Sequence, residues 1–283
     1  MGLEDLEVGM PFQSYTPEAP LSQFVATIWW MSNAGVPSSR QRICPNGGAM
    51  QLVLNLAHQS LSFFEGAERQ SIRAPLIAGP YSKAFSIDPA EFTAVLGVQF
   101  KPGGARLILR LPAHELHNTD VPFEDLYPQE AARLRDEVLS ATGLAGRFRV
   151  LESYLLEKLC GATSLHPAVE HALLEFTRRP GLRAVADVQA EIGISHTRFL
   201  QVFREQVGLT PKLFCRLQRF RSVLQRMGNG RPVHWAEVAA DCGYFDQAHL
   251  IHDFRAFSGM TPLEYAGFRQ RSQDASTTAG AAG

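Results

Sequence analysis

One phrase occurs twice in this chain. Phe203, Gly208, Thr210 and Pro211 recur 51 positions later as Phe254, Gly259, Thr261 and Pro262, in F-R-E-Q-V-G-L-T-P and F-R-A-F-S-G-M-T-P. A repeat at fixed spacing constrains a fold more than composition does, because each copy has to be one supersecondary unit. Upstream of each phrase lie a short apolar helix, a turn with glycine and a capped helix. The first copy runs from Val185 to Ile192, turns at Gly193-Ile194, caps at Ser195 and continues as a helix over His196–Val207. The second runs from Trp235 to Cys242, turns at Gly243-Tyr244-Phe245, caps at Asp246 and continues over Gln247–Phe257.

Gly193 and Gly243 suit helix ends that need positive φ, and Ser195 and Asp246 can accept hydrogen bonds from the free N–H groups that follow. Two helices around a short glycine turn form a helix-turn-helix, whose second helix fits a major groove. A single hairpin of this kind would serve equally in any all-helical bundle. Two copies flanking a basic stretch favour DNA. Gln206 to Ala236 contains no acid and carries Lys212, Arg216, Arg219, Arg221, Arg226 and Arg231. The whole chain, 283 residues with a net charge of −1, conceals this: the part before Leu165 has 13 basic and 17 acidic residues, the remainder 14 and 11. Phosphate binding draws on such local concentrations of cations. The alternative is an ordinary solvated face.

Val185–Arg269 resembles the DNA-binding domain of AraC-type transcriptional regulators, in the G-x-x-P ending of each half and the stretch G-Y-F-D-Q-A-H-L…F. The resemblance implies two helix-turn-helix subdomains joined by a long helix, here Pro211–Met227, about 24 Å at 1.5 Å per residue. It also implies recognition helices entering successive major grooves on one face of double-stranded DNA. RNA polymerase, a small-molecule effector and a second copy of the chain are the further partners it makes room for; activation and repression both stay open. No cofactor and no membrane association are expected.

Helical geometry sorts the recognition helices. Phe199, Val202 and Phe203 share an inward face in the first, with His196, Thr197, Leu200 and Gln201 opposite; Leu250 and Phe254 anchor the second, with Gln247, Ala248, Ile251, His252 and Arg255 outside. Gln201 and Gln247 can pair bidentately with adenine, and Thr197, Ala248 and Leu200 can touch a thymine methyl. His252 stands where the family often has Arg, which weakens guanine reading there. His249 matches a position that packs the turn. Arg198, Arg204, Arg216, Arg219, Arg221 and Arg255 are the candidate phosphate contacts; Arg219 and Arg221 flank the buried face of the joining helix, so structural ion pairs are the alternative for both.

The first half has a different texture. Short apolar runs at Phe24–Met31, Gln51–Leu56, Leu61–Phe64 and Ala94–Phe100 read as strands, separated by clusters such as Pro45-Asn46-Gly47-Gly48 and Gly79-Pro80. Helices follow over Gln129–Ala141 and Leu144–Cys160. The expected fold class is α+β: a β-rich, cupin-like N-terminal domain with packed helices over residues 1–160, a linker at 161–167, an all-helical DNA-binding domain at 168–271 and a disordered tail at 272–283. The phrases C-P-N-G-G-A-M-Q-L-V-L-N-L, A-G-P, G-V-Q-F-K-P-G-G-A, L-P-A-H-E-L and F-E-D-L, within Ser22–Leu126, resemble an uncharacterised domain seen fused to AraC-type DNA-binding domains.

An enzyme is the rival class, and a cupin-like metal enzyme its sharpest form. His114 and His117 are the close histidine pair of this half, on a helix start, and polar side chains facing solvent account for them better than metal does. Lys101-Pro102-Gly103-Gly104 lacks the P-loop pattern and reads as a turn. No G-x-S-x-G elbow or catalytic constellation is found. Cys44, Cys160, Cys215 and Cys242 form no C-x-x-C pair, so neither a disulfide scaffold nor a cysteine zinc site is expected, and a reducing cytoplasm is. The acidic first ten residues lack the features of a signal peptide, and no apolar run approaches a membrane span. Trp29, Trp30, Phe85 and Phe100 are the candidate lining of an effector pocket, or simply core; the domain can equally be a partner-docking module. The stripe Leu144, Phe148, Leu151, Leu155, Leu159 is either a dimer helix or packs on its own sheet.

Overall fold

The computed structural model describes residues 12–32, 40–159, 164–178, 180–227 and 234–269. The first ten residues, Cys160, Arg231 and the expected tail at 272–283 lie outside the described residues, as do residues 161–163 of the expected linker.

The N-terminal half is three-layered. Strands β1 (Phe12–Tyr15), β2 (Val25–Met31), β3 (Gln41–Ile43), β4 (Gln51–Asn55), β5 (Ser60–Glu65), β6 (Glu68–Arg73), β7 (Leu76–Ala78), β8 (Phe85–Ile87), β9 (Val95–Phe100) and β10 (Asp120–Pro122) form two antiparallel sheets. Their orders are β1-β2-β9-β4-β7-β10 and β3-β8-β5-β6. Side chains alternate across a strand, and the central strands of the large sheet use both faces. Leu52, Leu54, Leu96, Val98 and Phe100 point one way, into a core shared with α1 (Gly104–Leu109), α3 (Pro128–Ser140) and α4 (Gly143–Leu159), the short α2 (Phe123–Leu126) contributing Phe123. Trp29, Val53 and Val95 point the other way, against Leu61 and Ile87 of the small sheet.

That alternation corrects the aromatic set of the sequence reading. Trp29 and Phe85 belong to the core between the sheets, whereas Trp30 and Phe100 pack in the core beneath the helices. Neighbouring strand positions such as 29 and 30 face opposite ways, so the four do not line one pocket. Trp29 fills its own slot. It pairs across strands with Gly97, where a Cβ would lie 2.3 Å from the indole, so glycine is required for the ring to fit. The leucine stripe of α4 is spent internally as well: Leu151 and Leu155 are fully buried, and the Phe148 ring lies 5.0 Å from that of Tyr15.

The C-terminal half is helical: α5 (Pro167–Arg178), α6 (Val185–Ile192), α7 (His196–Val207), α8 (Pro211–Met227), α9 (Trp235–Asp241), α10 (Gln247–Ser258) and a last helix, α11, over 262–269. One continuous core runs through them, centred on Phe203, Phe214, Phe220 and Phe254. Cys44, from the N-terminal half, is part of that core. Cys44 is thus a plug between the halves.

Candidate nucleic-acid interface

Both copies of the repeat fold as helix, turn, capped helix. Gly193 (φ 73°) ends α6 and Gly243 (φ 75°) follows α9, each in the left-handed region that glycine enters freely. At Gly193 nothing lies where a Cβ would be, so only the backbone conformation asks for glycine; at Gly243 the Gly181 backbone is 2.7 Å away, and space asks for it too. Ser195 Oγ accepts from the Arg198 N–H at 3.3 Å, and Asp246 Oδ1 from the His249 N–H at 2.7 Å. Each cap satisfies one of the free donors of its helix and leaves the helix N-terminus outward.

The inward set is as the periodicity requires: Phe199, Val202, Phe203, Leu250 and Phe254 are buried. His196, Thr197, Gln201, Gln247, Ala248 and His252 are exposed, and Leu200 and Ile251 half-buried. Arg198 Nη1 donates to Gln201 Oε1 at 3.2 Å, so these two polar side chains stand together on the outer face of α7. His249 sits edge-on against Tyr244 at 5.2 Å between centroids, packing the turn.

The six candidate phosphate arginines divide by surroundings. Arg198 and Arg255 stand exposed on the recognition helices. Arg216 reaches Asp253 Oδ1 through both Nε (3.1 Å) and Nη2 (2.7 Å), and Arg219 reaches Oδ2 at 3.5 Å. Asp253 is buried, with 2 % of its side chain exposed, so this is the structural ion pair left open for Arg219 by the sequence. Arg216 also lies over Phe257 and Arg219 over Tyr244. Arg204 lies towards the N-terminal half, where its charge and that of Lys83 add to burial in lowering the His117 imidazole below its ordinary value. The Arg221 stem passes beside Gly47.

Three features were missed by the sequence reading. Asp253 was one: counting a helical face sorts residues as in or out but gives no weight to an acid among cations. Phe245, in the turn before α10, is 92 % exposed, an apolar ring beside the Gln247 end of a recognition helix. A groove of about 750 Å³ between the copies is lined by Lys212, Arg216, Arg219, His249 and His252 together with the 181–185 loop. Burial pushes the Cys215 thiol up to about 12 and raises Cys242 as well, which removes both as thiolates near neutral pH. His117 bonds Ser82 at 2.9 Å and Asn118 at 3.2 Å. No helix among the described residues is long and apolar enough to cross a membrane.

Residues 188–267 match the family model of a helix-turn-helix domain, and residues 13–122 match that of a domain of unknown function (DUF6597). The search of curated proteins finds no match. Among solved structures the chain is similar to ToxT from Vibrio cholerae O395, at 12 % identity over 91 % of this chain and 97 % of that one, with a TM-score of 0.45. It is also similar to the DNA-binding domain of AdpA solved with a target DNA, at 25 % identity over 37 % and 95 % of the two chains and a TM-score of 0.33. A DNA-binding transcriptional dual regulator from Escherichia coli K-12 is similar at 22 % identity, 35 % and 95 % coverage and a TM-score of 0.30. The chain thus carries an AraC-type helix-turn-helix domain at residues 188–267, the DNA-binding part of a transcriptional regulator, behind a DUF6597 domain at residues 13–122.

Proposed function

We propose that the chain reads two successive major grooves of double-stranded DNA, with α7 in one and α10 in the next. The observation that carries this is α8: a single unbroken helix of 17 residues joins two capped recognition helices. At 1.5 Å per residue it spans about 24 Å, within the 34 Å or so of one DNA turn once the subdomains at its ends are added. Gln201 and Gln247 are the adenine readers; Thr197, Ala248 and Leu200 meet thymine methyls, and His196, Ile251 and His252 complete the base-reading surface. Phe245 adds an apolar contact at the rim of the second groove. Arg198, Arg255 and Lys212 meet phosphates directly, while Arg216 and Arg219 lend charge to the intervening groove although Asp253 holds them. Arg204 and Arg221 sit further from the outer helix faces and contribute through the field.

The DUF6597 domain is the controlling part in this reading. A small-molecule effector or a second copy of the chain would act on DNA through it, in a cytoplasmic protein that contacts RNA polymerase once bound. No catalytic role is assigned. Binding titrations on a selected duplex and on its scrambled counterpart test the base assignments. Gln201→Ala should cost about 1–3 kcal/mol on the selected duplex and little on the scrambled one. Arg198→Ala should weaken both alike and reduce the slope of log affinity against log salt by about one. Equal losses on the two duplexes for Gln201→Ala would remove α7 as a reader.

A further inference from the structure

The segment from Arg42 to Gly48 begins within β3 and contains the C-P-N-G-G phrase. It lies along the DNA-binding half and touches it at three places. At one end Arg42 Nη1 donates to the Ser258 carbonyl at 2.7 Å, and a Cβ on the adjacent Gly259 would lie 2.6 Å from that same nitrogen. In the middle Gln218, on α8, donates from Nε2 to the Gly47 carbonyl at 2.8 Å, a buried bond. At the other end Gly48 meets Leu209, where a Cβ would be 2.7 Å from Cδ1. Seven residues span at most about 25 Å, comparable with the length of α8. The segment touches the second copy of the repeat at Ser258 and the first at Leu209.

The contacts fall on equivalent places. Gly208 and Gly259 are the same glycine in the two copies, 51 positions apart, and each closes a recognition helix at positive φ. Gly259 abuts Arg42; Gly208 abuts Pro80 and the Ala113 carbonyl, where a Cβ would lie 2.6–2.7 Å from its neighbours. The N-terminal domain thus touches the far end of both recognition helices, away from their exposed first turns, and bonds the helix between them.

We propose that the DUF6597 domain is a brace that fixes the distance and rotational phase between the two recognition helices, and so sets the half-site spacing the protein accepts. This rests on the two-groove reading above. α8 alone joins the copies at its two ends; the brace adds a second connection in parallel, which resists the twisting that one helix and its terminal turns permit.

The test uses the full chain and duplexes selected by it from random DNA. One base pair is inserted or removed between the half-sites, turning them by about 35° relative to each other. The wild type should lose about tenfold or more in affinity for each such step. Gly48→Ala, which forces a side chain against Leu209 at positive φ, and Arg42→Glu, which turns a carboxylate towards the Ser258 carbonyl, should flatten that profile at least about threefold. Affinity for a single half-site should stay within about twofold of the wild type. Seam opening is read separately as the rate of Cys44 modification by a thiol reagent, located by peptide mapping, since Cys44 is 1 % exposed in the shared core. Faster modification with a flattened profile supports the brace. Faster modification with a wild-type profile overturns it and leaves the two-groove reading intact, as does an unchanged Cys44 rate in both variants. A wild type indifferent to DNA sequence removes the two-groove reading and the brace together.

Discussion

The two helix-turn-helix copies place different chemistry in the same slot. Val202 and Asp253 occupy equivalent positions 51 residues apart, both buried, both one residue before the phenylalanine that anchors the recognition helix. In the first copy Val202 packs beside an aromatic cluster, with Phe203 5.7 Å from Phe199, 6.2 Å from Phe176 and 5.8 Å from Phe214 between centroids. The second copy keeps such a cluster, with Phe220 5.0 Å from Phe254 and 5.4 Å from Phe257, and adds a carboxylate gripped by two arginines of α8. Apolar packing is non-directional and tolerates small rotations, whereas a carboxylate with Arg216 on one oxygen and Arg219 on the other is held by charge-assisted hydrogen bonds that have a direction. α10 is therefore held to α8 in a defined rotation by charge, while α7 relies on packing and on its contact with the N-terminal half.

The largest effect expected on this comparison is the loss of an anchor. Phe203→Ala and Phe254→Ala should each cost about 3–5 kcal/mol in chemical denaturation, as large-to-small changes in a packed core do. Because one core runs through both copies, the transition should remain single; two separate transitions would break the picture of a shared core. Asp253→Val, which writes the first copy's residue into the second, should come next, at about 2–3 kcal/mol. It leaves two guanidiniums without their counter-charge, and their partial exposure keeps the cost below that of a fully buried pair. It should also strengthen binding to scrambled DNA and steepen its salt dependence, because Arg216 and Arg219 become free for phosphate. Weaker binding to scrambled DNA would show that the aspartate positions α10 without restraining the arginines. Smaller still, Ser195→Ala and Asp246→Ala should each cost about 1 kcal/mol through the lost cap. The smallest change in stability belongs to Phe245→Ser, within about 0.5 kcal/mol for an exposed side chain, with a measurable loss in DNA affinity if the ring meets the groove.

The helical half was legible because its signals are local. α7 and α8 begin and end where cap, glycine and proline place them, and Ser195 and Asp246 cap as read. The strands carried by apolar runs were legible too, within a residue or two. β6 was not: Glu-Arg-Gln-Ser-Ile-Arg is an exposed edge strand with no apolar face to display a period of two. Trp29 and Trp30 stood together as aromatic candidates for a pocket or the core, and the pleat sends them into different cores. The seam between the halves has no local signature at all. Gly48 meets Leu209 across some 160 residues, and in the sequence the pair reads as an ordinary turn and an ordinary helix end. The site divides along the same line. Exposed faces of α7 and α10 follow from periodicity, whereas the restraint of Arg216 and Arg219 depends on which acid the fold brings to them.

α8 has a consequence for how such a protein can change its target over evolutionary time. A helix couples length to angle: one inserted residue would lengthen the join by only about 1.5 Å but swing the second motif through about 100°. Such a step throws α10 off the DNA face altogether. Only insertions near whole numbers of turns preserve the heading, and seven residues, two turns, advance it by about 10.5 Å, or roughly three base pairs. The Gln218–Gly47 bond, midway along α8, would then fall out of step as well. Three base pairs turn the half-site by about 105°, so a new spacing has to satisfy the period of the protein helix and that of the DNA together, and the connecting helix tolerates few changes of length even though none of its residues is assigned to a base.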